Sequence, residues 1–535
     1  SNVRIGVNAG NSIQSGGNYN TVVGDEAGTA ISTGDSNVLV GMNAGIALTT
    51  ASDNVGVGQG ALTADTLGSK TVAIGRQALT TQNFTTATDT YNTAVGYQAG
   101  LSVSTGESNN LIGGLAGDAL DVGSYNQVLG VAALSADTKG SRAVAIGHGA
   151  LTTQNFSTAT DNYNIGIGHN AGLSVTTGVQ NTFVGGLCGD GTDDGYGNVA
   201  MGYTALGGNC GNQNIAIGNG ALLVSTANAN TAVGFESLKA NTSGYYNTST
   251  GYTTLYKNTE GQQSTAVGHG ALYNATTGGY NTAVGSLSLD ACTTGYSNVA
   301  VGVNALGALT EATACIAIGN SAGAAHLTAA GGTYIGHVAG FNSTAMNTCI
   351  GYASAYSGNG VTSLSSGTEN TLIGANTGVS GATNTGTVII GHGATGKGSN
   401  TGFINPTSGV YQGNNSSSWS TTSDRRIKKN ITDSTIGLAE INQIQVRNFE
   451  YKTKDDLAEL EADGLVETDI IEKEGIQVGS IAQEIQAILP DCVTEQDTGV
   501  LAVNADNLTW HLVKAVQELS AKNDALEARL VKLEG

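Results

Sequence analysis

The chain has 535 residues, of which 80 are glycine, 2 are proline and 11% are charged, a profile that excludes a string of ordinary globular domains and points to a repetitive architecture. Its net charge of −21 divides at Ser423 into −11 before and −10 after, so both parts repel phosphate backbones and anionic bilayers, and neither nucleic acid nor membrane insertion is expected. Residues 1–422 hold only 8 of the 20 Lys+Arg but 74 of the 80 glycines, so two kinds of polypeptide join there.

The chain opens SNVRIGVNAG, with neither an initiator Met nor a signal-like apolar core, and a preceding segment is expected to attach it to other proteins. From there one pentapeptide recurs: NTVVG at 20, NVLVG at 37, NVGVG at 54, TVAIG at 71, NTAVG at 92 and about 23 copies in all, their closing glycines most often 17 residues apart. A second period overlies the first, since TVAIGRQALTTQNF at 71 returns 72 residues later as AVAIGHGALTTQNF. A fixed period of this length marks a solenoid. Each copy sets a short β-branched run against Asn, Gly and Ser/Thr turn residues, which predicts a parallel β-solenoid with roughly two strands per 17-residue coil. The recurring Gly implies positive φ or close backbone approach at a corner, and the Ala after it implies a narrow interior. Interiors built from Ala, Val and Ile bury little per coil, so several chains are expected to associate. The pattern resembles the head repeats of trimeric adhesins and similar repeats in phage tail fibres, over most of residues 1–400.

Several motifs inside the repeats imitate chemistry. GNSAG at 319–323 fits the serine-hydrolase pattern, but the repeat places Ser321 in a turn, two residues past a coil glycine. GHGATGKG at 391–398 spaces Gly391, Gly396 and Lys397 like a phosphate loop, yet Gly398 stands where Ser or Thr must hold magnesium. GDGTDDG at 189–195 gathers three carboxylates and reads as an acidic turn, with calcium as the alternative. The six cysteines, Cys188, Cys210, Cys292, Cys315, Cys349 and Cys492, show no short pairing and read as small buried hydrophobes, and several histidines, such as His148, His169 and His269, as exposed turn residues. No metal and no cofactor is expected.

After a linker over 401–422, the segment TTSDRRIKKNI packs four cations into residues 425–429. Beyond it the period changes. IGLAEINQIQVRNFEYKTK predicts a short helix and a strand whose Phe449 and Tyr451 face a small core, and GIQVGSIAQEIQAILP predicts a strand and a helix, with Ile481, Ile485 and Ile488 on one face, ended by Pro490. The last stretch, 508–535, steps by fours and threes through Leu512, Val516, Leu519, Asn523, Leu526, Leu530 and Leu533, a coiled-coil seam with a polar Asn that sets register. The alternative is an amphipathic helix folded back on its own domain.

SDRRIKKNI, NFEYK, VGSIAQEIQAILP and AVNADNLTWHLVKAVQEL, in that order over 423–535, resemble the intramolecular chaperone domain, or S74 autopeptidase, at the ends of phage tail spikes and fibres. The resemblance implies a module that trimerises, drives folding of the β-structured fibre before it and often cuts itself off. It also implies that Ser423 is the nucleophile, Lys428 the general base and Thr422–Ser423 the bond cut. Chemically, Lys428 accepts a proton only when neutral, and at a free pKa of about 10.4 only roughly one lysine in a few thousand is neutral at pH 7. Like charges on Arg425, Arg426 and Lys429, with burial on assembly, would lower that value. Five residues separate the pair, so a turn must bring them together.

The expected protein is a homotrimeric viral tail fibre of the virion, made in the host cytoplasm. It binds other phage tail proteins at one end and a host glycan or surface protein at the irregular region 352–422. Two alternatives are a polysaccharide-degrading tailspike, which needs paired carboxylates in a groove, and a cellular trimeric adhesin, which is expected to end in a membrane-anchor barrel rather than a charged helix.

Overall fold

A computed structural model describes residues 1–327, 330–343, 346–357, 362–405, 423–462, 471, 473–496 and 499–535. The chain forms two compact units, Ser1–Gly331 and Gly332–Gly535.

The first unit is a parallel β-solenoid. Three-residue strands run from Val3–Ile5 to Ile316–Ile318, each paired in register with the strand one coil away, as in Thr21↔Val38 and Thr182↔Val199. Most coils hold one such strand, not two. The rest of each coil turns too sharply to stay extended, and it passes its hydrogen bonds to the next coil as isolated pairs such as Gly28 N to Ala44 O at 2.9 Å. Among the described residues, extra two-residue strands occur where the repeat lengthens, Gly68–Ser69 with Thr88–Asp89 and Gly140–Ser141 with Thr160–Asp161.

Strand side chains alternate. The middle residue points inward and is buried, as Leu39, Ala73, Ala94 and Phe183 are, while its neighbours remain partly or largely exposed. The coil glycine has the conformation its recurrence implies: Gly41 adopts φ +133°, and a Cβ there would meet the Gly58 carbonyl at 2.7 Å. The Ala three residues on, Ala44, Ala61 or Ala78, is fully enclosed.

The coil asparagine does more than turn the chain. Asn37 is buried, donates from Nδ2 to the Ala51 carbonyl at 3.0 Å and accepts from Asn54 N at 3.1 Å. Asn109 repeats the arrangement with Gly123 and Asn126, and Asn181 with Gly195 and Asn198. One side chain thus satisfies an acceptor in its own coil and a donor in the next, so an interior too thin for much apolar burial is closed by a polar ladder. Where Thr71 interrupts it, Gln82 reaches in, bonding Asp65 at 2.6 Å, Thr71 at 3.1 Å and Asn92 at 2.9 Å. The copy 72 residues later rebuilds this from Asp137, Gln154 and Asn164.

The second unit begins with further coils, Thr333–Ile335 to Gly402–Ile404, again parallel and in register. After residues 406–422, which lie outside the described ones, comes a small module with helices α1 (Leu438–Ile441), α2 (Leu457–Ala462), α3 (Ala482–Ile488) and α4 (Ala505–Glu534). Two antiparallel strand pairs, Arg447–Phe449 with Gln477–Gly479 and Val493–Glu495 with Leu501–Val503, complete it. Its core is Ile485, Leu489, Cys492 and Val493, packed by Ile436, Ile441, Ile444, Ile488 and Leu508. Phe449 and Tyr451 pack edge to face on each other, centroids 5.3 Å apart, and are not members of that core.

Candidate functional site

Ser423 and Lys428 meet. Asp424 caps a single 3-10 turn, Arg425–Ile427, by accepting from Arg426 N at 2.8 Å, and Lys428 N closes the turn on Arg425 O at 3.1 Å. With about three residues per turn, such a turn reverses the chain quickly enough for residues five apart to touch, as neither a strand nor an α-helix would allow. Lys428 Nζ donates to Ser423 Oγ at 2.6 Å.

The electrostatics differ from the expected crowding. Arg426 does not face Lys428 as a free like charge: its guanidinium grips Asp424, Nη2 to Oδ2 at 2.6 Å, and the pair holds the Asp424 carboxyl below its ordinary range. Both Ser423 and Lys428 are exposed, as are Ile427 and Ile431 beside them. Thr422 lies outside the described residues, so the Thr422–Ser423 bond has no described geometry.

Residues 423–494 match the Peptidase S74 family, described as the chaperone of endosialidase. Over these residues the C-terminal module is similar to a chaperone of endosialidase. Comparison with curated proteins finds no match. The matched segment begins at Ser423, the first residue after the undescribed stretch, and a solenoid precedes it; together these mark a tailspike-like protein that carries its own intramolecular chaperone.

Beyond the matched residues the C-terminal module ends in α4, 30 residues long and capped by Asn504, whose side chain accepts from Asp506 N and Asn507 N. Among the described residues, its packing within the module falls in its first half. Leu508 joins the core, Ala515 is buried, and Glu518 reaches α1, accepting from Leu438 N at 2.9 Å. The seam residues Leu512, Val516, Leu519, Leu526, Leu530 and Leu533 are all more than half exposed. Among the described residues no helix is long and apolar enough to cross a membrane.

The imitated motifs stay apart from chemistry. Ser321 sits in a left-handed turn and bonds its neighbour Asn320, and Lys397 lies over the Phe403 ring at 5.5 Å. In 189–195, Asp193 accepts from Thr176. All six cysteines are buried, and burial pushes the Cys349 thiol up to about 12. Sequence reading did not foresee the asparagine ladder, because Asn in a Gly-rich repeat signals a turn and its burial shows only once coils stack. It also did not foresee the meeting of Asp491, Cys492 and His511.

Proposed function

We propose that this chain is a viral tail-fibre protein in which three copies associate through the chaperone domain, fold their solenoids, and then sever Thr422–Ser423 with Ser423 as nucleophile and Lys428 as base. The observation that carries the cleavage is the 2.6 Å contact between Lys428 Nζ and Ser423 Oγ at the first residue of the matched family segment. In the pair as it stands the lysine donates, so cleavage needs the neutral amine. Covering the turn would favour that form by making charge costly. Ser423 Oγ then attacks the Thr422 carbonyl carbon while its proton passes to Nζ. The amide breaks, Ser423 nitrogen takes a proton and leaves as the amine, and water hydrolyses the resulting ester.

Association is supported by what a single copy leaves uncovered: the α4 seam, Ile427 and Ile431 beside the dyad, and the outward strand rows of the solenoid, such as Val199, Met201, Ile215 and Ile217. A trimer would cover such rows and seat Asn523 inside the α4 bundle. In this reading the fibre is made in the host cytoplasm and incorporated into the virion. It binds other tail proteins and a host glycan or surface protein, with the coils and linker of 352–422 as the contact region.

The test expresses the chain beside Ser423→Ala and Lys428→Ala and follows each by denaturing electrophoresis and N-terminal sequencing. A fragment beginning at Ser423, present only in the unaltered chain, is expected. Full-length bands in all three would remove the cleavage.

A further inference from the structure

Among the described residues, the single place where three potential metal ligands converge is Asp491, Cys492 and His511, whose ligand atoms all lie within 4.8 Å of one another. We propose that these three side chains bind a zinc ion that ties α4 to the core of the chaperone domain. The claim is independent of Ser423 and its chemistry.

The placement is specific. Asp491 and Cys492 sit on the 3-10 turn Pro490–Cys492 that follows α3, and His511 lies two turns into α4. Two hydrogen bonds to the turn's carbonyls join the elements beside the site, one from the backbone and one from a side chain: Asn504 N donates to the Cys492 carbonyl at 2.7 Å and Asn507 Nδ2 to the Asp491 carbonyl at 2.9 Å. His511 Nε2 already lies 3.0 Å from Asp491 Oδ2, and its side chain is only 11% exposed. Cys492 is fully buried, and Asp491 opens the site toward solvent.

The chemistry of the donor set selects the ion. Thiolate, imidazole and carboxylate together suit a borderline-soft cation, and zinc takes them at about 2.0–2.3 Å, which sets tetrahedral ligand atoms about 3.3–3.7 Å apart. The three ligand atoms start within 4.8 Å of one another, with Asp491 Oδ2 and His511 Nε2 at 3.0 Å, so the site as proposed closes by side-chain adjustment. Three protein ligands leave one tetrahedral position for water or another group. Binding releases the Cys492 thiol proton, so the complex is the thiolate, neutral imidazole, carboxylate and Zn²⁺ with one proton lost to solvent.

The consequence is mechanical. Without an ion, α4 is joined to the turn by one backbone bond, one Asn507 side-chain bond, the His–Asp contact and the packing of Leu508 on the core; with it, the long helix carrying the exposed seam is further fixed in direction where it leaves the core.

The test uses the full chain carrying Ser423→Ala, so that the chaperone domain stays attached, stripped with a chelator and titrated with Co²⁺ and then Zn²⁺. Expected are one equivalent per chain, a near-ultraviolet thiolate-to-cobalt band, and its loss on zinc addition. Cys492→Ser should remove the band. His511→Gln, at a position outside the Ile485, Leu489, Cys492 and Val493 core cluster, should weaken binding at least about tenfold. Either no band in the parent chain, or a band unchanged by both substitutions and so arising from another cysteine, would overturn the proposal.

Discussion

The solenoid and the chaperone domain solve the same problem in opposite ways. In the solenoid each coil is completed by the next: inward Ala, Val and Leu are enclosed, glycine lets backbones approach, and buried asparagines satisfy donor and acceptor across the step. In the C-terminal module a core of few residues supports a 30-residue helix whose apolar seam residues are more than half exposed. The solenoid's neighbours come from its own sequence, whereas in the proposed trimer those of the α4 seam come from other copies. A small core rarely holds so much exposed apolar surface without a partner. The difference teaches that a repeat of low charge can be self-sufficient along its axis, and in the proposed trimer it depends on another region to bring copies together.

That contrast can be broken from either side. Asn109→Ala removes the acceptor of Asn126 N and the donor to Gly123 O inside a dry interior. It should cost about 2–4 kcal/mol, read as an earlier thermal transition and as hydrogen exchange opening around coils 92–126 rather than throughout. Leu519→Arg sits on the exposed α4 seam. It should leave single-chain stability within about 0.5 kcal/mol but abolish association, visible in sedimentation.

A smaller effect uses the internal duplication. Thr71 and Thr90 share a 2.6 Å bond, but the corresponding positions are Ala143 and Asn162, and Asn162 Nδ2 is buried without a hydrogen-bond partner. The double change Ala143→Thr with Asn162→Thr should stabilise by about 1 kcal/mol in chemical denaturation. The smallest concerns pH. Burial raises the Asp65 carboxyl above its ordinary 3.8 against the lowering bonds from Gln82, Gly68 and Phe84. Because the folded value is raised, folding favours the protonated form. That contribution is fully present below about pH 3.8 and is lost as pH rises through the folded value. Relative to Asp65→Asn, the native chain should therefore gain stability as pH falls, measured as the difference in melting temperature at paired pH values.

Much of this was legible before any coordinates. The 17-residue spacing of coil glycines gives parallel stacking directly, since equal coils place like residues above one another, and the β-branched runs mark the strands. What failed was the strand count: a turn rich in Asn and Thr looks extended on paper, but the corner residues take positive φ even at Tyr19, Tyr91 and Leu62, so one strand per coil remains. The burial of Asn37 and its equivalents was hidden for the same reason. In the chaperone domain, Ser423 and Lys428 could be picked out by resemblance, while the 3-10 turn that joins them depends on Asp424 as a cap. Cys492 and His511, 19 residues apart with no spacing motif, meet only because α4 packs against the turn Pro490–Cys492.

The most direct test of the central claim is the native mass of the Ser423→Ala full chain by sedimentation equilibrium. The account predicts three times the 53.5 kDa chain mass, falling to one chain mass with Leu519→Arg. A stable, folded single chain of 53.5 kDa at micromolar concentration without that substitution would contradict it.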